Sequence, residues 1–200
     1  MTDGTFKVLY LLGLVAGVLL RMPHFRRLRG QGVTTGVRAT ERMTPVEKLL
    51  AILGFMGIVV IPVMYVFALW LDFAAYRLPS WAGAVGVATF AAGLWLQWRG
   101  RADLGYNLTP TAVTREGQSL VTDGAYRYIR HPIYAGHWLR AIAQPLLLHN
   151  WIGGLAGLVL LFPMYVYRVR REEQNMLARF GKEYRSYMDR TGRVVPVLWR

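Results

Sequence analysis

Five apolar runs divide the chain, and each ends in arginine, an aspartate or a polar turn. A helix crossing a bilayer core needs about 20 mostly apolar residues. Residues 49–71 supply such a run without interruption, and Pro62 inside it predicts a kink. Residues 78–98 supply another, rich in Gly and Ala, with Trp81, Trp95 and Trp98 towards its ends. The first run, Phe6–Leu20, is short. A snorkelling Lys7 with Met22 and Phe25 extends it over 5–25. A signal peptide is the competing reading, but Arg-Met-Pro-His-Phe-Arg-Arg follows where a small-residue cleavage site would stand. Gly13 and Gly17 form a GxxxG pair suited to close helix packing. Residues 134–148 and 151–167 are apolar again and are separated only by His149-Asn150, so they predict a helical hairpin.

The pattern changes at Arg168. Val169, Glu173, Met176, Leu177, Phe180, Tyr184, Tyr187 and Met188 recur at helical spacing. Arg168, Glu172, Asn175 and Arg179 share the other face. Residues 168–189 therefore predict an amphipathic helix that continues the last span, bends at Gly181 and lays its apolar stripe on the protein or the headgroups. Within 134–148, Arg140 and Gln144 lie four apart on one helical face. Ionisable residues at membrane depth commonly face a polar cavity, so Arg140 is a candidate for binding substrate.

Charge sets the orientation. Residues 21–48 carry Arg21, Arg26, Arg27, Arg29, Arg38, Arg42 and Lys48 against Glu41 and Glu47. Loops this positive stay in the cytosol. The expectation is one all-α integral membrane domain over 1–200, without internal repeats. It would have about five transmembrane helices, the N-terminus outside, the C-terminus cytosolic and a cytosolic segment at 100–133. A multi-pass protein whose site faces the cytosol would sit in the plasma membrane if the source is a prokaryote. The apolar fraction of 54%, the positive mean hydropathy, seven Trp and eleven Tyr agree with this. The net charge of +13 would also fit nucleic acid, but the basic residues interrupt apolar runs and no aromatic interleaving accompanies them. A nucleic-acid partner is therefore not expected, and the oligomeric state stays open. The absence of cysteine excludes disulfides, thiolate catalysis and Cys-bound metals, and no metal site is expected.

The longest stretch unsuited to lipid runs from Gly117 to Gly136. It crowds Arg127, Arg130, His131, Asp123 and three tyrosines together. Pro132 drives His131 out of helical geometry. His131 and Tyr134 are thus presented where the next helix begins, beside freed backbone N–H groups suited to a polar ligand. The plainer reading is a loop end with Tyr134 as an interfacial anchor.

Gln118-Ser-Leu-Val-Thr-Asp-Gly-Ala-Tyr-Arg-Tyr-Ile-Arg-His-Pro-Ile-Tyr-Ala-Gly, a helical hairpin, Arg168-Val-Arg-Arg-Glu-Glu and Phe180-Gly-Lys-Glu-Tyr-Arg-Ser-Tyr together resemble the isoprenylcysteine carboxyl methyltransferase family. That family belongs with the membrane phospholipid N-methyltransferases. The resemblance covers roughly Thr111 to Pro196. It implies S-adenosylmethionine bound on the cytosolic side, under the C-terminal helix. By position, Gln118, Ser119, Leu120 and Val121 would line the cofactor, and Tyr126, His131, Pro132, Ile133 and Tyr134 would continue that wall. Glu172 would hold the cofactor's ammonium, and Arg168 would face the substrate. Ile133 stands where the family often has Ser, and Thr111 where some members carry a cofactor-contacting Gln. Arg168 and His131 are the catalytic candidates, with Glu173 as an alternative base for an amine acceptor. The acceptor implied is a prenylcysteine carboxylate drawn from the membrane, with a phospholipid amine or a small thiol as alternatives. An NADPH-dependent sterol or enone reductase is the rival enzyme class, and a lipid-binding membrane scaffold the non-enzymatic one.

Overall fold

The computed structural model describes residues 3–30, 44–107 and 119–197. Its helices are α1 (Asp3–Gly30), α2 (Pro45–Phe55), α3 (Ile61–Phe67), α4 (Ser80–Leu104), α5 (Pro132–Leu148) and α6 (Trp151–Arg190). Among the described residues the only β pairing is two isolated bridges, Ala75 with Asn150 and Ile129 with Gly192. Three helical bodies are long and apolar enough to cross a membrane: Asp3–Pro23, Pro45–Phe67 and Trp151–Arg190. The 40 residues of α6 run about 60 Å, twice a bilayer core, so a membrane crossed by its first half leaves its second half outside.

Helix boundaries depart from the apolar runs where capping chemistry outweighs hydropathy. The second helix starts at Pro45, four residues before the run at Leu49. Thr44 Oγ1 accepts from Glu47 N–H at 3.2 Å, and Glu47 Oε2 accepts from Thr44 N–H at 2.8 Å. The run's last residues, Leu69–Leu71, leave that helix for a 3-10 turn (Leu69–Ala74).

The kink expected at Pro62 is instead a π turn over Met56–Val60 that joins α2 to α3. Pro62 has no N–H for the carbonyls of Gly57 and Ile58. Two side chains from other helices serve them: Tyr10 donates to Ile58 O at 2.5 Å, and Gln144 Nε2 to Gly57 O at 3.0 Å. Gln144 Nε2 also donates to Gly153 O at 2.7 Å, and its Oε1 accepts from Tyr10 at 3.2 Å. This buried amide therefore ties α1, α2, α5 and α6 together.

The core comprises Phe6, Tyr10, Tyr65, Leu71, Phe90, Leu147 and Leu148. Gly13 takes the ring of Phe90 where a Cβ would lie 2.4 Å from Cε1, so the GxxxG pair serves the α1–α4 contact. The α5–α6 hairpin turns on His149, in the left-handed region at φ 49°, and on Asn150, whose Oδ1 caps α6 through Ile152 and Gly153 N–H. The bend expected at Gly181 is present, at φ 52° and ψ −117°. Beyond it, Tyr184 and Tyr187 return to the protein interior.

Candidate functional site

Local chemistry sets the entry to α5. Asp103, ion-paired with Arg99 at 3.1 Å, accepts from Ala125 N–H at 2.8 Å. This pins the short 3-10 turn Gly124–Arg127 to the end of α4. The turn buries Tyr126, whose backbone carbonyl accepts from the Tyr187 hydroxyl at 2.6 Å. The C-terminal tail then runs beside the chain that leads into α5: Arg130 N–H donates to Gly192 O at 2.8 Å, and His131 N–H to Arg193 O at 2.9 Å. His131 stands outside the helix, at φ −128° and ψ 63°, with Pro132 as the first helical residue.

That entry faces the middle of α6, where Glu172 and Glu173 flank His131. Nδ1 of His131 lies 3.7 Å from Glu172 Oε2, and Nε2 lies 3.5 Å from Glu173 Oε1. Tyr134 donates to Glu172 Oε1 at 2.7 Å. Arg168, one turn before Glu172, approaches the same oxygen at 3.7 Å. Burial first, and the charge of Glu172 second, push the Tyr126 phenol well above its ordinary pKa. His131, Tyr134 and Arg168 thus gather at Glu172, with Tyr126 within the field of that carboxylate.

Glu173 belongs to a different network. It accepts from Arg130 Nε at 3.1 Å and from Arg193 Nη2 at 2.8 Å. Arg130 Nη1 also donates to the carbonyls of Met188 and Thr191. Burial raises the carboxyl's pKa, but hydrogen bonds and charge from His131 and Arg193 outweigh it and hold it at about 2. So acidic a group is a weak base, and the alternative proton acceptor expected at Glu173 is not supported.

The other expected residues divide into groups. Ser119 is tied to Asn107 beyond the end of α4, its N–H donating to Asn107 Oδ1 at 3.1 Å. Leu120 and Val121 continue that stretch toward the turn, partly buried. Gln118 and Thr111 lie outside the described residues. Pro132 and Ile133 pack on Gly100 of α4, with side-chain atoms 3.1 Å from where its Cβ would be. Arg140 is buried deeper along α5, over the ring of Phe90.

An apolar groove of about 950 Å³ is walled by Trp95 and Leu96 of α4, Trp138, Leu139 and Ile142 of α5, and Tyr165 of α6. Tyr165 stacks edgewise on both Tyr134 and Trp138, with ring centroids 6.0 and 5.5 Å away. Arg99 and Arg127 also line the groove.

The sequence places Arg130 in the Gly117–Gly136 stretch without marking a role for it, and it marks none for Arg193. A carboxylate at an apolar-stripe position, Glu173, was the signal that a buried counter-charge had to exist. The sequence marks no role either for Gln97, an isolated amide in an apolar helix.

These elements define a helical protein with three membrane-length helical bodies, whose polar site lies where the start of α5 meets the middle of α6. The chain belongs to the phospholipid methyltransferase family, whose model matches residues 81–183, just over half of its length. It is 30% identical over 109 residues to the protein-S-isoprenylcysteine O-methyltransferase of Schizosaccharomyces pombe, a match covering 48% of this chain and 46% of that protein. It is 26% identical over 121 residues to the Homo sapiens protein of that name, covering 60% and 43%. The matches thus span less than half of those relatives' length. The fold is similar to that of the eukaryotic intramembrane Ras methyltransferase ICMT, with a TM-score of 0.54 at 19% identity, covering 98% of this chain and 74% of that one.

Proposed function

We propose that the protein is an integral-membrane, S-adenosylmethionine-dependent methyltransferase whose acceptor is lipophilic, a prenylated cysteine carboxylate by likeness to the named relatives. The observation that carries this is the side-chain cluster between the start of α5 and the middle of α6, where Glu172 keeps a carboxylate a quarter exposed among Tyr126, His131, Tyr134 and Arg168.

The residues fit the cofactor. Glu172 offers an acceptor for its ammonium, and the tyrosine rings offer faces to a sulfonium. When bound, the cofactor supplies an electrophilic methyl group. The protein's part is alignment, which alone can supply several kcal/mol of the acceleration. Arg168 receives an anionic acceptor through a planar fork that lysine would not reproduce. A carboxylate acceptor carries no proton to remove, so His131 would serve to orient it. An amine acceptor would call on its ring nitrogen as base. The acceptor's chain lies in the 950 Å³ groove and reaches Arg168 past Tyr165 and Tyr134. The arginine-rich end faces the cytosol, where the cofactor enters from water.

Calorimetry on the purified protein, with S-adenosylhomocysteine and with NADPH, tests the reading. Binding of the first and transfer of a labelled methyl group to a farnesylated cysteine are expected. Binding of NADPH alone would point to a reductase. Labelling of a phospholipid amine instead would keep the class and replace the acceptor.

A further inference from the structure

A second polar cluster lies on the opposite face of α5 from the groove. Arg21 comes from α1, Arg101 from the last turn of α4, and Arg140 from the middle of α5. Gln97 of α4 is the hub: its side-chain oxygen accepts from Arg21 Nη2 at 3.4 Å, and its backbone carbonyl from Arg101 Nη1 at 2.9 Å. Absent side chains let the helices close around it. A Cβ on Gly136 would stand 2.6 Å from Gln97 Cγ, and one on Gly17 3.7 Å from Arg140 Nη1. The three guanidinium groups repel one another, and His137 lies within the field of all three.

Among the described residues no acidic side chain is ion-paired with the cluster: none of the ion pairs reaches Arg21, Arg101 or Arg140. Buried polar atoms point into the cluster without a hydrogen-bond partner: Arg21 Nε, Arg140 Nε, His137 Nδ1 and Gln97 Nε2. Gln97 and Arg140 are 2% and 4% exposed. Guanidinium does not escape burial by losing its proton. Snorkelling would relieve Arg101 at the end of α4, but Arg21 lies within α1 and Arg140 begins about 12 Å along α5 from Pro132. Unpaired charge at such a depth is costly unless an anion shares the site.

We propose that this cluster is a receptor for the phosphate group of a membrane amphiphile. Donors arriving from three helices surround a tetrahedral oxyanion, where a single carboxylate edge would engage one fork. Three positive charges are better matched by a phosphomonoester, with up to two negative charges, than by a monoanion. Basic pockets between membrane helices at the level of lipid phosphates take anionic headgroups. The amphiphile's chains run along α1, whose Val15, Val18, Leu19 and Met22 remain exposed. The assignment goes beyond methyl transfer and holds whether or not a methyl group moves.

The test is a thermal-shift and native mass-spectrometry titration of the purified protein with dihexanoyl phosphatidate, dihexanoyl phosphatidylcholine, hexanoate and inorganic phosphate. Saturable stabilisation by phosphatidate is expected, at least tenfold tighter than by phosphatidylcholine or hexanoate. Arg140→Gln should lose it at least tenfold. Arg21→Gln, at a half-buried position within α1, should weaken it severalfold and serves if Arg140→Gln does not fold. Equal affinity for hexanoate overturns the phosphate assignment, and equal affinity for inorganic phosphate overturns the amphiphile. No stabilisation by phosphatidate, or stabilisation unchanged in the arginine variants, overturns the site.

Discussion

Glu172 and Glu173 are neighbours in α6, yet they do opposite work. Glu173 is 5% exposed in its side chain and is held by Arg130 and Arg193, with His131 close by. Glu172 is 25% exposed, receives one short hydrogen bond from Tyr134, and stands 3.7 Å from both His131 and Arg168. One carboxylate is saturated with protein partners and the other keeps capacity in reserve. Consecutive helical residues point about 100° apart, so one turn of helix presents a structural clamp to the tail and a receptive acid to Tyr134 and Arg168. The lesson is that a pair of acids in a motif need not share a role. The partner set of each, read from the fold, separates them.

The comparison breaks most directly at Glu173. Truncation to Ala strands the Arg130 guanidinium, 7% exposed, and frees the tail that Arg193 ties down. Removing one partner of a buried pair costs about 3–5 kcal/mol. Glu173→Ala should lower the melting temperature in detergent far more than Glu172→Ala does. The reverse order would show that the clamp was assigned to the wrong acid.

Acid should act on the same residue with a smaller effect. The folded protein holds the Glu173 carboxyl at about 2 against an ordinary 4.5, so the unfolded chain binds that proton more tightly. The stabilisation is therefore complete above about pH 4.5 and disappears as pH falls toward 2, a change on the order of 2 kcal/mol. Melting curves across that window should slope for the wild type and flatten for Glu173→Gln. Equal slopes in both would place the acid sensitivity elsewhere.

Much of this arrangement was legible before any coordinates. The Arg-His-Pro turn, the two-residue hairpin at His149-Asn150 and the bend at Gly181 follow from rules that act within a few residues. What stayed hidden depended on contacts across the chain. Gln144 looked like a companion to Arg140 on a functional face. In the structure it serves carbonyls of Gly57 and Gly153, 87 and 9 residues away. Arg193 sits in a short tail with no periodicity, so nothing local linked it to Glu173. Gln97 and Arg101 read as the end of a span, because the convergence of α1, α4 and α5 on them is a property of packing alone.

Glu172→Gln sharpens the contrast from the other side. The substitution keeps the shape and the acceptor oxygen for Tyr134 but removes the charge. Stability without ligand should change by less than about 1 kcal/mol, since the acid's ionic partners stand at 3.7 Å. S-adenosylhomocysteine should bind at least tenfold more weakly by calorimetry, about 1.4 kcal/mol. Unchanged binding would remove Glu172 from the ligand's contacts and leave both acids structural.

The smallest effect is expected at Tyr134, and it asks whether Glu172 is merely available or also aimed. The phenol donates to Oε1 at 2.7 Å. That leaves Oε2, 3.7 Å from His131 Nδ1, to turn toward a ligand. Tyr134→Phe keeps the ring against His131 and Tyr165 and deletes only the hydroxyl. A hydrogen bond of this kind contributes about 0.5–1.5 kcal/mol, so S-adenosylhomocysteine affinity should fall by about two- to tenfold. If the bond's only service is to hold the fold, the loss will appear in the melting temperature and not in affinity. If it aims the carboxylate, affinity will fall, and Tyr134→Phe placed on Glu172→Gln will cost less than on the wild type. Additive losses in the double variant would show the two groups acting separately, and the aimed-acid account would then fail even with Glu172 confirmed as a contact.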